Sequence, residues 1–250
     1  VVENKPIAQD IYLLTLTGDL VMKMTTPGQF LHIKCSPGLD SLLRRPISIC
    51  DVNLEKKEVN IIFRLEGRGT RLLAEALPGD RLDVLGPLGT GFPIAHRQAG
   101  ERVLIIGGGV GVPPLYYLSK QLKQKGVQVT HLLGFQSVRH MFFIDEFTAL
   151  GETHVATVDA SFGRAGLVTQ LINDWPIDTW SSVYACGPIP MLRALLEHFS
   201  DKEAYISLEQ RMGCGIGACF ACVCHTTDPE DGYKKICSDG PVFRLGEVIL

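Results

Sequence analysis

The stretch Val103-Leu104-Ile105-Ile106-Gly107-Gly108-Gly109-Val110-Gly111-Val112-Pro113-Pro114 decides how the chain is read. Four apolar residues in a row make a strand buried on both faces, the glycines make a tight turn, and two prolines open a helix. That helix is expected from Pro113 to Lys125, with Gly126 stopping it. Val127–Phe135 reads as the next apolar strand and Met141–Leu150 as a short helix. His154–Val158, Leu167–Ile172, Ser182–Ala185 and Met191–Phe199 carry the strand–helix alternation on. Such alternation is the signature of a doubly wound parallel sheet. Gly107, Gly108, Gly109 and Gly111 let a dinucleotide approach the backbone, with its pyrophosphate at the helix N-terminus. The third glycine of a strict G-x-G-x-x-G is missing, because Val112 or Pro114 stands there, so a plain tight turn is the alternative. Ser182-Val183-Tyr184-Ala185-Cys186-Gly187-Pro188 places Cys186 and Gly187 at the carboxyl edge of the same sheet, where ligands bind. No acidic residue ends the strand at Phe135 and Arg139 stands alone, which leaves NAD and NADP both open.

Before the polar stretch His96–Arg102 the period changes to two. Asp10–Gly18, Gln29–Cys35, Ile47–Val52 and Glu58–Leu65 alternate, the last with Val59, Ile61 and Phe63 on one face. Pro27-Gly28, Pro37-Gly38, Pro78-Gly79 and Gly86-Pro87 punctuate them, and a short helix is expected over Thr70–Leu77. Short strands with such turns predict an antiparallel barrel, closed or nearly so. Arg44-Arg45-Pro46-Ile47-Ser48 on one strand and Gly67-Arg68-Gly69-Thr70 at the helix start could grip a diphosphate from two sides, with Ser48 near a ring nitrogen. A solvated basic edge and an ordinary capping threonine are the plain alternative.

The chain ends differently. Glu209–Leu250 is rich in Gly and Cys and has no helical period. Cys214-x4-Cys219-x2-Cys222, followed by Cys237, has the plant-type [2Fe–2S] spacing. Two irons share four thiolates, so a tight loop wraps the cluster and a distant strand closes it. Gly213, Gly215 and Gly217 can turn backbone N–H groups toward the sulfurs. Cys224 competes for the fourth place, but its offset from Cys222 is too short to reach around a cluster easily, and Cys237 is preferred. Structural zinc is the competing reading, although zinc ligands usually come as two separated pairs. Cys35, Cys50 and Cys224 read as small buried hydrophobes.

Composition narrows the classes further. The 46% hydrophobic content of the 250 residues is ordinary for a globular chain. Lys+Arg 24 against Asp+Glu 27 argues against a nucleic-acid footprint. The apolar run Val103 to Leu118 is too interrupted to span a bilayer, and Val1–Asp10 lacks the pattern of a signal peptide. A soluble cytoplasmic protein is the expectation. Three parts follow: 1–92 a barrel, which the resemblance named next makes FAD-binding, 100–206 a nucleotide-binding α/β domain, and 207–250 a [2Fe–2S] domain.

These motifs together resemble the ferredoxin–NADP reductase superfamily, in which an Arg-x-Tyr-Ser/Thr barrel binds FAD and Gly-Gly-Gly-x-Gly and Cys-Gly-Pro motifs bind the nicotinamide. Ile47 stands where that pattern has tyrosine. With the cysteine loop and Asp239-Gly240-Pro241-Val242-Phe243, the chain is similar over Ile7 to Phe243 to electron-transfer subunits of heteromeric NAD-linked dihydroorotate dehydrogenases. The resemblance implies FAD contacts at Arg45, Pro46, Ile47, Ser48, Ile62, Phe63, Arg64, Gly69 and Thr70. It implies NAD at the glycine turn with Cys186 and Gly187, and cluster ligands Cys214, Cys219, Cys222 and Cys237. It further implies an FMN-containing, dihydroorotate-oxidising partner, two copies of each subunit, and a place in pyrimidine biosynthesis. No side chain is expected to act as a catalytic acid, base or nucleophile. Phe220 and Val223 are candidates for a docking surface. The same module could serve a ferredoxin-dependent transhydrogenase, a sulfite reductase or a hydrogenase, and a zinc-stabilised binding module is the non-enzymatic alternative.

Overall fold

The structure, a computed structural model, describes residues 1–36, 38 and 41–250, so Pro37 of the expected Pro37-Gly38 turn lies outside the described residues. Strands β1 (Glu3–Ala8), β2 (Ile11–Thr17), β3 (Phe30–Ile33), β4 (Arg45–Asn53), β5 (Glu58–Arg64) and β6 (Val84–Leu88) pair antiparallel in the order β1-β2-β5-β4-β3-β6. Alternation decides which side chains fill the barrel. Val59, Ile61 and Phe63 pack inward with Leu14, Leu31, Ile33 and Ile49. Ile62 points out with Ile11, Leu13 and Cys50, into a second core. Strands β1 and β6 carry no clear alternation in sequence, because Pro6 and Gly86-Pro87 interrupt them; β1 is an edge strand, where proline is tolerated. The short helix is α1 (Arg68–Ala74), earlier than Thr70–Leu77. The Thr70 hydroxyl accepts from the amides of Glu66 at 3.1 Å and Gly67 at 3.3 Å, which puts Thr70 inside the first turn.

The second sheet carries β7 (Arg102–Gly108), β8 (Gln128–Phe135), β9 (Glu152–Thr157), β10 (Arg164–Ala165), β11 (Ser182–Cys186) and β12 (Ala204–Ser207), parallel in the order β10-β9-β8-β7-β11-β12. Strand order reverses at β7, so the crevice at its carboxyl end is the switch point of the sheet. Successive β7 residues serve opposite faces: Val103 and Ile105 pack one way, Leu104 and Ile106 the other. Helix α2 (Pro113–Gln124) lays Leu115, Leu118 and Leu122 on the first face, each fully buried and each contributing about 2 kcal/mol. Gly126, at φ 77°, ends it: its amide donates to the Lys123 carbonyl and the Val127 amide to that of Leu122. Helix α3 (Ile144–Thr148) is shorter than Met141–Leu150, because Phe143 sits in the left-handed region and blocks extension toward Met141. Helix α4 (Ile189–Phe199) covers the second face with Leu192, Leu195 and Phe199. Leu167–Ile172 is not part of a regular alternation; Val168–Asp174 is 3-10 helix.

The polar stretch His96–Arg102 hides a buried charge. Arg97 is 6% exposed and pairs with Glu101 at 2.9 Å and with Glu203, tying the segment after the barrel to the start of β12. At the other end, β13 (Val223–His225) and β14 (Tyr233–Lys235) form a hairpin. Strand β15 (Val242–Arg244) then joins β12 antiparallel, as the last strand of the large sheet. No helix among the described residues is long and apolar enough to cross a membrane.

Candidate functional site

A cleft of about 660 Å³ opens where the barrel meets the parallel sheet, within the size range of cofactor sites. Strand β4 lines it with Arg45, Pro46, Ile47 and Ser48, β5 with Ile62, Phe63 and Arg64, and α1 with Thr70. Gly69 lies beneath Arg45, where an added Cβ would stand 2.7 Å from the guanidinium Nε. Arg44 and Arg45 diverge. Arg44 donates to the Asp83 carboxylate at 2.7 Å and to its carbonyl at 2.8 Å, whereas Arg45 donates to the Leu43 carbonyl at 2.6 Å and stays over α1. The Thr70 hydroxyl serves its own helix start and donates to the Gly67 carbonyl at 3.1 Å.

Val110 of the glycine turn and Pro241 of the closing motif also line the cleft, while Phe30 and the run Leu208, Glu209, Gln210, Arg211 and Met212 carry no motif and escape sequence reasoning. Their one signal is position, since Glu209 to Met212 run straight into the cysteine loop. The Glu209 side chain meets solvent through the open cleft, yet protein atoms crowd it enough to push its carboxyl pKa up, and nearby Arg64 only partly offsets this.

The nucleotide-side motifs come together at the switch point. Cys186 on β11 pairs with Gly107 on β7. An added Cβ on Gly111 would stand 2.6 Å from the Cys186 carbonyl and from the Gly187 Cα, so glycine alone allows this approach. Gly108 packs as tightly on Met191 and Pro188, while Gly109, at φ 55°, faces open space. The Cys186 thiol is fully buried and burial pushes its pKa well up, so this residue presents main chain to the edge.

The four candidate ligand thiols stand as two pairs. The Cys214 amide donates to the Cys219 sulfur at 3.3 Å, and the Cys237 amide to the Cys222 sulfur at 3.4 Å. Further loop amides turn inward: Ile216 and Ala218 toward the Cys214 sulfur at 3.4 and 3.3 Å, and Gly217 toward the Cys237 sulfur at 3.1 Å. The Ile216 amide, aided by Cys219 and the Ala218 amide, brings the Cys214 thiol down to about 6, while burial pushes Cys237 up to about 12. Cys219 is exposed and Cys222 and Cys237 are buried, so one pair faces out and the other faces the core. A two-iron cluster takes two thiolates per iron, and the four thiols stand as two such pairs. The donor set and the inward amides fit that cluster. Cys224 is half-buried on β13, its thiol directed to the Lys234 carbonyl at 3.6 Å, outside the paired set. Cys35 and Cys50 are buried.

Residues 209–249 match the family described as the iron–sulfur cluster binding domain of dihydroorotate dehydrogenase B. Two relatives are each named a dihydroorotate dehydrogenase B (NAD(+)) electron transfer subunit. One, from Geobacillus sp. (strain WCH70), is 56% identical over 250 residues, covering 100% of this chain and 97% of that protein. The other, from Bacillus caldolyticus, is 55% identical over 250 residues with the same coverage. A solved NADH-dependent reduced ferredoxin-NADP oxidoreductase is 29% identical with a TM-score of 0.85, covering 100% of this chain and 88% of that one. Ferredoxin-NADP+ reductase from Plasmodium falciparum, 12% identical with a TM-score of 0.69 over 83% of this chain and 94% of its own, shares the fold. Identity above one half over the full length, together with the family match over the cysteine loop, leads to one conclusion: the chain belongs to the family of electron-transfer subunits of the NAD(+)-linked dihydroorotate dehydrogenase B.

Proposed function

We propose that this chain carries electrons between a dihydroorotate-oxidising, FMN-containing partner and NAD, in the cytoplasm and in the service of pyrimidine biosynthesis. When bound, FAD exchanges electrons as a pair with nicotinamide and a [2Fe–2S] cluster handles them singly, so a chain holding both converts one currency of electron transfer into the other. One observation carries the reading. The five residues Leu208 to Met212 line the cleft, and Cys214 follows two positions later, so the cofactor cleft and the cysteine loop share one continuous wall.

The chain's own residues bind and orient. Arg45 and the start of α1 hold the diphosphate side of FAD; Pro46, Ile47, Ser48, Ile62, Phe63, Arg64, Gly69 and Thr70 shape the rest of its cleft. Gly107, Gly108, Gly109 and Gly111 with Cys186 and Gly187 receive the nicotinamide nucleotide, and Cys214, Cys219, Cys222 and Cys237 hold the cluster. No acid, base or nucleophile is required. The division is 1–92 for FAD, 100–206 for NAD and 207–250 for the cluster. The partner docks near the outward pair of thiols, where Ile216 is 59% exposed and Phe220 53% exposed. Phe220 is held up at φ 57° between Tyr233 and the Lys235 ammonium, 4.2 Å from its ring. Two chains with two partners make the complex.

Among alternative partners, a ferredoxin-dependent transhydrogenase has the 29% identical structural relative on its side, against 56% for the dihydroorotate dehydrogenase relative. Anaerobic purification from native cells tests the choice. Co-purification of an FMN protein with dihydroorotate-dependent NAD reduction is expected; a flavin and iron–sulfur complex inert to dihydroorotate would refute it. Phe220→Glu should weaken partner association at least tenfold while leaving NADH oxidation by artificial acceptors intact, and equal loss of both would remove the docking face.

A further inference from the structure

Strand β3 turns Leu31 and Ile33 into the barrel, so Phe30 and His32 both face outward. Phe30 lines the cleft and shares a core with Cys222 and Cys237. His32, two residues on, is fully buried under the cysteine loop. Gly215 meets it directly: at φ 74° its Cα faces the imidazole, and any Cβ would run into Nδ1. The ring lies within loose reach of the main chain of Cys214 and of Arg44, yet among the described residues neither ring nitrogen makes a hydrogen bond of good geometry.

A buried imidazole always has at least one N–H to place, and leaving it unmatched is costly. An apolar side chain would fill the same space without that cost. The polar ring therefore calls for an acceptor, and the group it faces is the Cys214 end of the cluster loop. We propose that His32 is a positioning residue for the iron–sulfur centre, donating its N–H into the Cys214 end of the loop and so fixing the inward set of the Ile216 and Ala218 amides on the Cys214 sulfur. Because β3 also forms the cleft wall through Phe30, one strand sets the cluster loop against the flavin side. The inference rests on the ligand assignment above.

Hydrogen bonds directed at the sulfur ligands favour the reduced, more negative cluster, so loss of the N–H that holds the Ile216 and Ala218 amides on the Cys214 sulfur should lower the reduction potential. The test compares the wild-type holoprotein with His32→Leu and His32→Gln, by iron content, by the electron paramagnetic resonance spectrum of the reduced cluster, and by redox titration. His32→Leu should cut the reduced-to-oxidised ratio at a fixed potential several-fold and shift the resonance. His32→Gln, which keeps an N–H donor, should restore most of both. If His32→Leu cannot hold iron, retention by His32→Gln supports the donor role, and loss from both overturns it. A His32→Leu protein that titrates like wild type overturns it as well, as does a His32→Gln protein displaced as far as His32→Leu. Absence of a two-iron spectrum from wild type would instead sink the ligand assignment.

Discussion

Two glycine-rich loops serve the same need by opposite means. The turn at 107–111 is enclosed by regular structure: β7 leads in, α2 leads out, and the Cys186–Gly187 main chain closes over Gly111. The loop at 213–219 has no helix or strand of its own, and its inward amides are aimed at thiols. Glycine permits close approach in both. The first loop is shaped by the sheet before any ligand arrives, while the second depends on a ligand to repay its ordering.

The largest expected effect comes from breaking the second loop. Cys222→Ser or Cys237→Ser, at the core-facing pair, should abolish iron binding by direct assay. Removing iron by chelation should likewise open the exposed Arg211 and the neighbouring Lys235 to trypsin, leaving Lys120 and Lys123 on α2 protected. Equal cleavage in both regions would mean that the cluster supports the whole fold. Next comes Gly111→Ala, whose Cβ meets main chain that cannot yield. It should weaken nicotinamide binding about a hundredfold, or roughly 3 kcal/mol, with iron and flavin content unchanged. An intact Kd would show that the turn adapts as freely as the cysteine loop.

The smallest effect concerns the sheet that supports the first loop. His131 on β8 is fully buried, bonded to Ser119 at 2.7 Å and Thr153 at 3.0 Å, and burial lowers its pKa from 6.5 to about 3. The unfolded chain takes up this proton first as pH falls, so stability is unaffected above 6.5 and declines from there toward 3. At pH 5 the loss is about 2 kcal/mol, readable as a lower urea midpoint that His131→Gln abolishes.

Local signals gave most of the architecture. Period-two alternation located β2 through β5, and the apolar run with its glycines located β7 and the start of α2. The cysteine spacing singled out the loop whose amides the structure turns onto sulfur. Strands β1 and β6, whose alternation Pro6 and Gly86-Pro87 interrupt, were not legible, nor was β15, three residues long and paired only with a strand far upstream. Arg97 lies in a stretch legible only as polar, because its partner Glu203 is distant in sequence.

Residue type and spacing by themselves therefore determined the barrel, the parallel sheet, the turn and the place of the cysteine loop, since each rests on neighbours a few positions apart. Tertiary structure alone decided that Leu208 to Met212 wall the cleft, that His32 lies under Gly215, and that Thr90 holds Asp239 by a hydrogen bond of 2.9 Å across 149 positions. Those contacts join segments far apart in the chain, and periodicity carries no record of such pairings.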